Sequence, residues 1–185
     1  EGRYDQAAEL NRHALQAADA RQDWFQRGIH LTNAARISLR LGEYGVALEQ
    51  FQESQEGKSR VGDRMGLGFS LYGVGLASTY LDRYDEAETA FQASLALRRQ
   101  INDERGIGYC LHGLGLAALG RGHFAAAEDL FQQAYEVRAR LGLKAETIAD
   151  LSYIARARLG LGRLEEARQA SQQAMDLLAE QKNVE

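Results

Sequence analysis

Apolar and small residues recur along this chain at three- and four-residue steps, which is the spacing of one face of an α-helix. In residues 63–81, one such face holds Gly68, Leu71, Val74, Gly75 and Ser78. Residues 84–100 carry a second apolar face, and only Asp82 and Arg83 separate the two stretches. Because two helices joined by so short a connection lie antiparallel, the pattern predicts a helix pair.

The helix pair repeats at an interval of forty residues. The equally spaced positions include Tyr4, Tyr44, Tyr84, Phe124 and Leu164, and also Ala7, Ala47, Ala87, Ala127 and Ala167. A period of this size predicts a stacked array of small units rather than one globular core. We therefore expect an all-α fold, an α-solenoid of antiparallel helix pairs. About nine helices are predicted, near 4–19, 24–41, 44–57, 63–81, 84–100, 104–120, 124–140, 144–161 and 164–180.

The repeat boundaries follow from the same period. We expect a single array over 1–185, with the second helix of a truncated repeat at 1–20 and full repeats at 23–60, 63–100, 103–140 and 143–180. The chain begins inside a repeat and without methionine, so we interpret it as a fragment of a longer protein. Asp63 stands where a carboxylate can accept from the unpaired amides of a helix start, which predicts an N-cap. Gly28, Gly68 and Gly108 share one phase, and Gly75 and Gly115 share another, which predicts that helices approach closely there.

Composition excludes several classes of function. The net charge of −4 disfavours a nucleic-acid partner, since such proteins need a basic face. The basic residues are interpreted as solvated helix faces and salt-bridge partners. The single cysteine rules out a disulfide within the chain, which favours a reduced, cytoplasmic setting. No apolar run approaches the length of a membrane span, so no membrane partner is expected.

No pattern of catalytic or metal-binding residues emerges. The sequence GLGLAALG at 113–120 has the glycines of a dinucleotide fingerprint, but it lies within a predicted helix, where close packing explains the glycines better. Cys110 and His112 alone do not complete a metal shell. No serine, histidine and acid form a nucleophile motif. We expect no enzymatic activity, no cofactor and no metal.

The offsets that recur from unit to unit resemble the tetratricopeptide repeat. The best-matching units contain Leu71, Val74, Gly75, Tyr84, Ala87, Phe91 and Ser94, and then Leu111, Leu114, Gly115, Gly122, Phe124, Ala127, Phe131 and Ala134. The resemblance implies a right-handed superhelix whose first helices line a concave, partner-binding surface. The unit has forty residues rather than the usual 34 and lacks proline. In this it is similar to Pins-type adaptors and to bacterial MalT-type and Rap-type regulators.

This resemblance implies a protein- or peptide-binding scaffold. The predicted groove positions on the first helices, here called the first-helix stripe, are Thr32, Asn33, Arg36, Tyr72, Leu76, His112, Leu116, Ser152 and Arg156. The stripe favours an apolar partner with acidic groups. The competing interpretation is that the stripe packs against other parts of the parent protein, or against the preceding helices in a tight superhelix. The alternative function is a sensor or regulatory segment of a larger bacterial signalling or transcriptional regulator. Self-association through uncapped ends is also expected, because such ends expose apolar surface.

Overall fold

The computed structural model describes the backbone of residues 2–182 and the side chains of residue 6 and of residues 9–180. Within these residues the fold is all-α, with nine helices, no strand, and the tandem helix pairs of an α-solenoid. The helices are α1 (Gly2–Ala20), α2 (Trp24–Leu41), α3 (Tyr44–Arg60), α4 (Arg64–Tyr80), α5 (Tyr84–Gln100), α6 (Glu104–Gly120), α7 (Phe124–Arg140), α8 (Lys144–Gly160) and α9 (Leu164–Lys182). The predicted helices are confirmed. The main difference is α3, which continues a turn beyond residue 57 to Arg60.

Every turn contains one residue with positive φ, and these residues recur every twenty positions. They are Gln22, Gly42, Gly62, Asp82, Asn102, Gly122, Gly142 and Gly162. The left-handed conformation ends a helix and reverses the chain, and glycine, asparagine and aspartate adopt it most easily. The forty-residue repeat is therefore two helices and two turns of equal length.

The first helix of each pair, which is α2, α4, α6 or α8, begins at an aspartate cap where the sequence has an aspartate at that position. Asp63 accepts a hydrogen bond from the amide of Gly66 at 2.8 Å, as the sequence predicts. Asp23 and Asp103 cap α2 and α6 in the same way. Leu143 occupies the corresponding position before α8 and provides no side-chain cap. The cap is thus a feature of three of the four first helices.

The helices divide at Leu97 and Arg98 into two compact units, called unit 1 (1–97) and unit 2 (98–185). The core of unit 1 contains Ala35, Ala47, Leu48, Phe51, Val74, Ala77 and Ala90. A Cβ on Gly75 would lie 2.6 Å from the ring of Phe91, so glycine is required for α4 to approach α5 at this point. The carbonyl of Gly68 accepts from the buried Ser94 hydroxyl at 2.8 Å.

Unit 2 repeats this packing around a buried cluster of its own. The cluster comprises Leu119, Ala127, Phe131, Leu151, Ile154, Ala155, Ala157, Ala167, Ala170 and Ala174. A Cβ on Gly115 would lie 2.7 Å from the Phe131 ring, which matches the contact between Gly75 and Phe91 forty residues earlier. The close approaches predicted from the glycine phases are present in both units.

Candidate functional site

The first-helix stripe is partly exposed and partly engaged in internal contacts. Asn33, Arg36, Ser152 and Arg156 are exposed, whereas Thr32, Tyr72, Leu76, His112 and Leu116 are half-buried. Among the exposed residues, the Ser152 hydroxyl donates to the carbonyl of Ile148 within its own helix. Leu116 packs against the core cluster of unit 2. The nine positions are therefore unequally accessible to a partner.

In unit 1, the stripe on α4 extends further toward the helix start than the sequence indicated. Met65 and Phe69 are each 51% exposed. They precede Tyr72 and Leu76 at helical steps, so the four side chains lie along one face of α4. The start of α2 presents Phe25, which is 46% exposed, at the position corresponding to Met65. These residues are not among the positions predicted from the sequence, although Phe25 and Met65 lie forty residues apart and Met65 and Phe69 share the helical face of Tyr72.

Thr32 belongs to a polar cluster between three helices of unit 1. Its hydroxyl lies 2.8 Å from that of Ser54 on α3 and donates to the carbonyl of Gly28 at 2.9 Å. The hydroxyls of Ser54 and Ser70 are 2.9 Å apart, which brings α4 into the same cluster. We call Thr32, Ser54, Lys58 and Ser70 the unit 1 polar cluster.

Lys58 is the charged member of this cluster and is only 4% exposed. Its ammonium group donates to the Thr32 hydroxyl at 2.6 Å, to the Ser70 hydroxyl at 3.1 Å and to the carbonyl of Gly66 at 3.1 Å. Burial lowers the pKa of Lys58 to about 8, although the negative charge of Asp63 acts in the opposite direction. A Cβ on Gly28 would lie 3.1 Å from the Lys58 side chain, so this glycine provides room for the cation.

His112 belongs to the corresponding cluster in unit 2. Its Nδ1 lies 2.6 Å from Oδ1 of Asp150, and the same oxygen accepts from Nη1 of Arg138 at 2.6 Å. Asp150 is fully buried, and the side chain of Arg138 is 3% exposed. The imidazole also meets the rings of Phe131 and Tyr153 edge-on. We call His112, Arg138 and Asp150 the unit 2 polar cluster.

The two clusters occupy equivalent positions in the repeat. Thr32, Lys58 and Ser70 each precede His112, Arg138 and Asp150 by eighty residues. The cation position also holds Arg98, which is 2% exposed and paired with Asp103. These three cations do not lie on solvated faces, but Arg98 and Arg138 are salt-bridge partners, which is the other part of the expectation. Their forty-residue spacing is visible in the sequence and shows that they share one position in the repeat, whereas their burial is seen only in the structure.

The described residues contain no obvious site for metal chemistry. No group of three or more histidine, cysteine, aspartate or glutamate side chains in this part of the chain is arranged to hold a metal ion. Of the helices between residues 2 and 182, none combines the length and the hydropathy needed to cross a bilayer. On unit 2, a depression of about 430 Å³ lies between α6 and α7, and the ion pair between Arg140 and Glu104 borders it.

Many solved structures share this fold at low sequence identity, including the following three. BtubC (BKLC) from P. vanneervenii has a TM-score of 0.86 and 17% identity, covering 98% of this chain and 76% of that protein. A variant of a putative kinesin light chain with nearly identical TPR-like repeats, from Podosopora anserina, has a TM-score of 0.80 and 17% identity, covering 98% and 90%. A Rap protein complexed with Competence and Sporulation Factor has a TM-score of 0.85 and 13% identity, covering 97% of this chain. The chain spans 50% of that Rap protein.

Sequence comparison gives a narrower match. No functionally curated protein matches the chain significantly. The family model for the tetratricopeptide repeat matches residues 69–140, which include most of α4, all of α5 and α6, and α7. The matched segment contains the residues on which the resemblance rests, and the helices on both sides continue the same pairing. Residues 69–140 therefore carry the tetratricopeptide repeat signature.

Proposed function

We propose that this chain is a non-enzymatic interaction module that binds a protein or peptide on the exposed faces of its first helices. The single observation that carries this proposal is the face of α4, where Met65 and Phe69 are each 51% exposed in line with Tyr72 and Leu76. Large apolar side chains exposed together often mark a binding surface. The proposal is consistent with the Rap protein of the same fold, which was solved as a complex with Competence and Sporulation Factor.

The two polar clusters hold in place the helices that carry the proposed binding face. Lys58 connects α2 and α4 through buried hydrogen bonds. In unit 2, Asp150 on α8 contacts both His112 on α6 and Arg138 on α7, so each cluster holds the helices that present the stripe. Thr32 and His112 then support the face through their internal partners. Tyr72, Leu76 and the exposed residues Asn33 and Arg36 are the contacts proposed for unit 1, and Leu116, Ser152 and Arg156 are those proposed for unit 2.

Affinity capture with matched variants tests this function. The purified chain, a Met65→Ser/Phe69→Ser variant and a Val46→Ser variant are used in parallel, and the retained proteins are identified. Val46 is a suitable control because it is 45% exposed on the second helix α3. We expect a partner that the wild type and the Val46 variant retain and the α4 variant loses. Equal retention of every partner by all three proteins would contradict the proposal.

We also propose self-association through α9. Leu164, Met175 and Leu178 are 66%, 55% and 44% exposed on this helix. The equivalent positions in α7 are Phe124, Tyr135 and Arg138, which are half-buried or buried against α8. Sedimentation over a concentration series should detect dimers of the wild type that a Leu164→Lys/Leu178→Lys variant does not form. A wild type that is monomeric at every concentration would contradict this part of the proposal.

A further inference from the structure

Charge is unevenly distributed between the two classes of helix in unit 1. The first helices α2 and α4 contain no aspartate or glutamate and carry four arginines, Arg27, Arg36, Arg40 and Arg64. Outside the turns, which include the caps Asp23 and Asp63, the acidic side chains lie on the second helices, with Glu49, Glu53 and Glu56 on α3 and Asp85, Glu86 and Glu88 on α5. The helices that carry the stripe of unit 1 are therefore basic within their own bounds, although the chain has a net charge of −4.

Two of these arginines are available to a partner. Arg27 is neutralised by Asp19 and Glu53, each at 2.9 Å. Arg36 and Arg40 are exposed, and neither has an ion pair with another side chain that the structure describes. Arg40 lies in the last turn of α2, where the helix dipole also stabilises a cation. Arg36 lies one turn earlier, where the helix dipole no longer stabilises a cation. The charge of Arg36 is therefore the clearer indicator of a binding role.

The basic and apolar residues occupy opposite ends of this face. Short turns make α3 antiparallel to both α2 and α4, so the two first helices run in the same direction. Their contact at the hydroxyls of Thr32 and Ser70, 3.5 Å apart, sets their relative register. Phe25, Met65 and Phe69 then lie toward the helix starts, and Arg36 and Arg40 lie toward the end of α2. The eleven residues from Phe25 to Arg36 correspond to about 16 Å along the helix.

We infer that the partner segment of unit 1 carries apolar side chains at one end and a cluster of carboxylates about 16 Å away at the other. This inference rests on the proposed function and names the chemistry of its ligand. The apolar end covers Phe25, Met65 and Phe69, and removes them from water. The carboxylates pair with Arg36 and Arg40, because α2 and α4 contain no acidic side chain that could do so. A segment of three helical turns is long enough to make both contacts.

Selection from a random peptide library displayed on phage, with the full chain as bait, tests the inference. Selected peptides are then measured by fluorescence anisotropy against the wild type, Phe69→Ser, Arg36→Glu and two controls. Val46→Ser is the control for lost apolar surface. Arg168→Glu is the control for charge reversal, since Arg168 is exposed on the second helix α9. Circular dichroism confirms that each variant is folded.

Three results are distinguishable. The inference is supported if the selection enriches peptides with separate apolar and acidic ends. These peptides should bind Arg36→Glu about fivefold more weakly than wild type, or weaker still, at low salt, and should not bind Phe69→Ser. Peptides that depend on Phe69 but show neither acidic enrichment nor sensitivity to Arg36→Glu would overturn the inferred chemistry and leave the proposed function standing. Peptides that bind Phe69→Ser as tightly as wild type, or no selected peptides at all, would overturn both.

Discussion

Arg138 and Asp150 form a buried ion pair between consecutive repeats, with Nη1 and Oδ1 2.6 Å apart. Twelve residues separate them in sequence, on α7 and α8, and both are almost inaccessible to water. His112 on α6 approaches the same carboxylate oxygen, so one acid connects three helices. Burying such a pair is costly, but removing one partner costs more because the other charge is left uncompensated.

The Asp150→Ala substitution should therefore destabilise unit 2 by about 3 kcal/mol or more. The reason is that Arg138 would remain buried without a counterion. Urea unfolding followed by far-UV circular dichroism measures the effect. The double variant Arg138→Met/Asp150→Leu is the control, and it should recover most of the lost stability because apolar side chains of similar volume replace the charges. A double variant as unstable as Asp150→Ala would show that the charge left unpaired is not the cause.

Lys58 should make the stability of unit 1 depend on pH. Burial lowers its pKa from 10.5 to about 8 in the folded state, so the unfolded chain binds more protons than the folded chain between these values. Stability contributed by this group therefore rises as the pH increases through that window. Between about pH 7 and about pH 9.5 the gain should be about 2 kcal/mol.

The Lys58→Met variant isolates this contribution, since it removes the titrating group and leaves the other groups in place. Urea unfolding at both pH values can be followed by the fluorescence of Trp24, the only tryptophan, which lies in unit 1 beneath the guanidinium of Arg60. We expect the pH-dependent gain in wild type to exceed that in Lys58→Met. An equal gain in both proteins would mean that the ammonium group is not desolvated.

Two glycine-to-alanine substitutions should have effects of opposite sign. A Cβ on Gly75 would lie 2.6 Å from the Phe91 ring, and the close-packed ring has little room to move, so Gly75→Ala should cost about 1–3 kcal/mol. A Cβ on Gly45 in α3 would meet no atom within 4 Å, so Gly45→Ala should stabilise the helix by about 0.5–1 kcal/mol. Thermal unfolding of both variants gives the comparison. A stabilising Gly75→Ala would contradict the close approach of α4 and α5.

Cys110 should report on the opening of unit 2. It is the only cysteine in the chain and is 0% exposed. Reaction with Ellman's reagent should consequently be slow in the folded protein and fast in urea, since the reagent requires an accessible thiolate. The Asp150→Ala variant should react faster than wild type under native conditions. Rapid reaction of the wild-type protein without denaturant would contradict the burial of this side chain.

The sequence by itself determined the helices, their pairing and the glycine contacts. Helix periodicity, aspartate caps and turn residues are local features, so they can be recognised from neighbouring positions. The forty-residue repeat shows each of these patterns several times along the chain. For example, the glycine and the aromatic residue at Gly75 and Phe91 recur forty residues later as Gly115 and Phe131. The first-helix stripe was likewise identified as a set of positions, although its role in binding stays a prediction.

Only the tertiary structure decided which stripe residues are available to a partner. Thr32 and His112 look like their exposed neighbours in the sequence, but Lys58 and Asp150 engage them from other helices. Met65 and Phe69 could equally have been buried, because their exposure depends on how neighbouring helices are oriented around α4. Side-chain contacts between helices twelve or more residues apart depend on packing in three dimensions, which the local pattern does not contain.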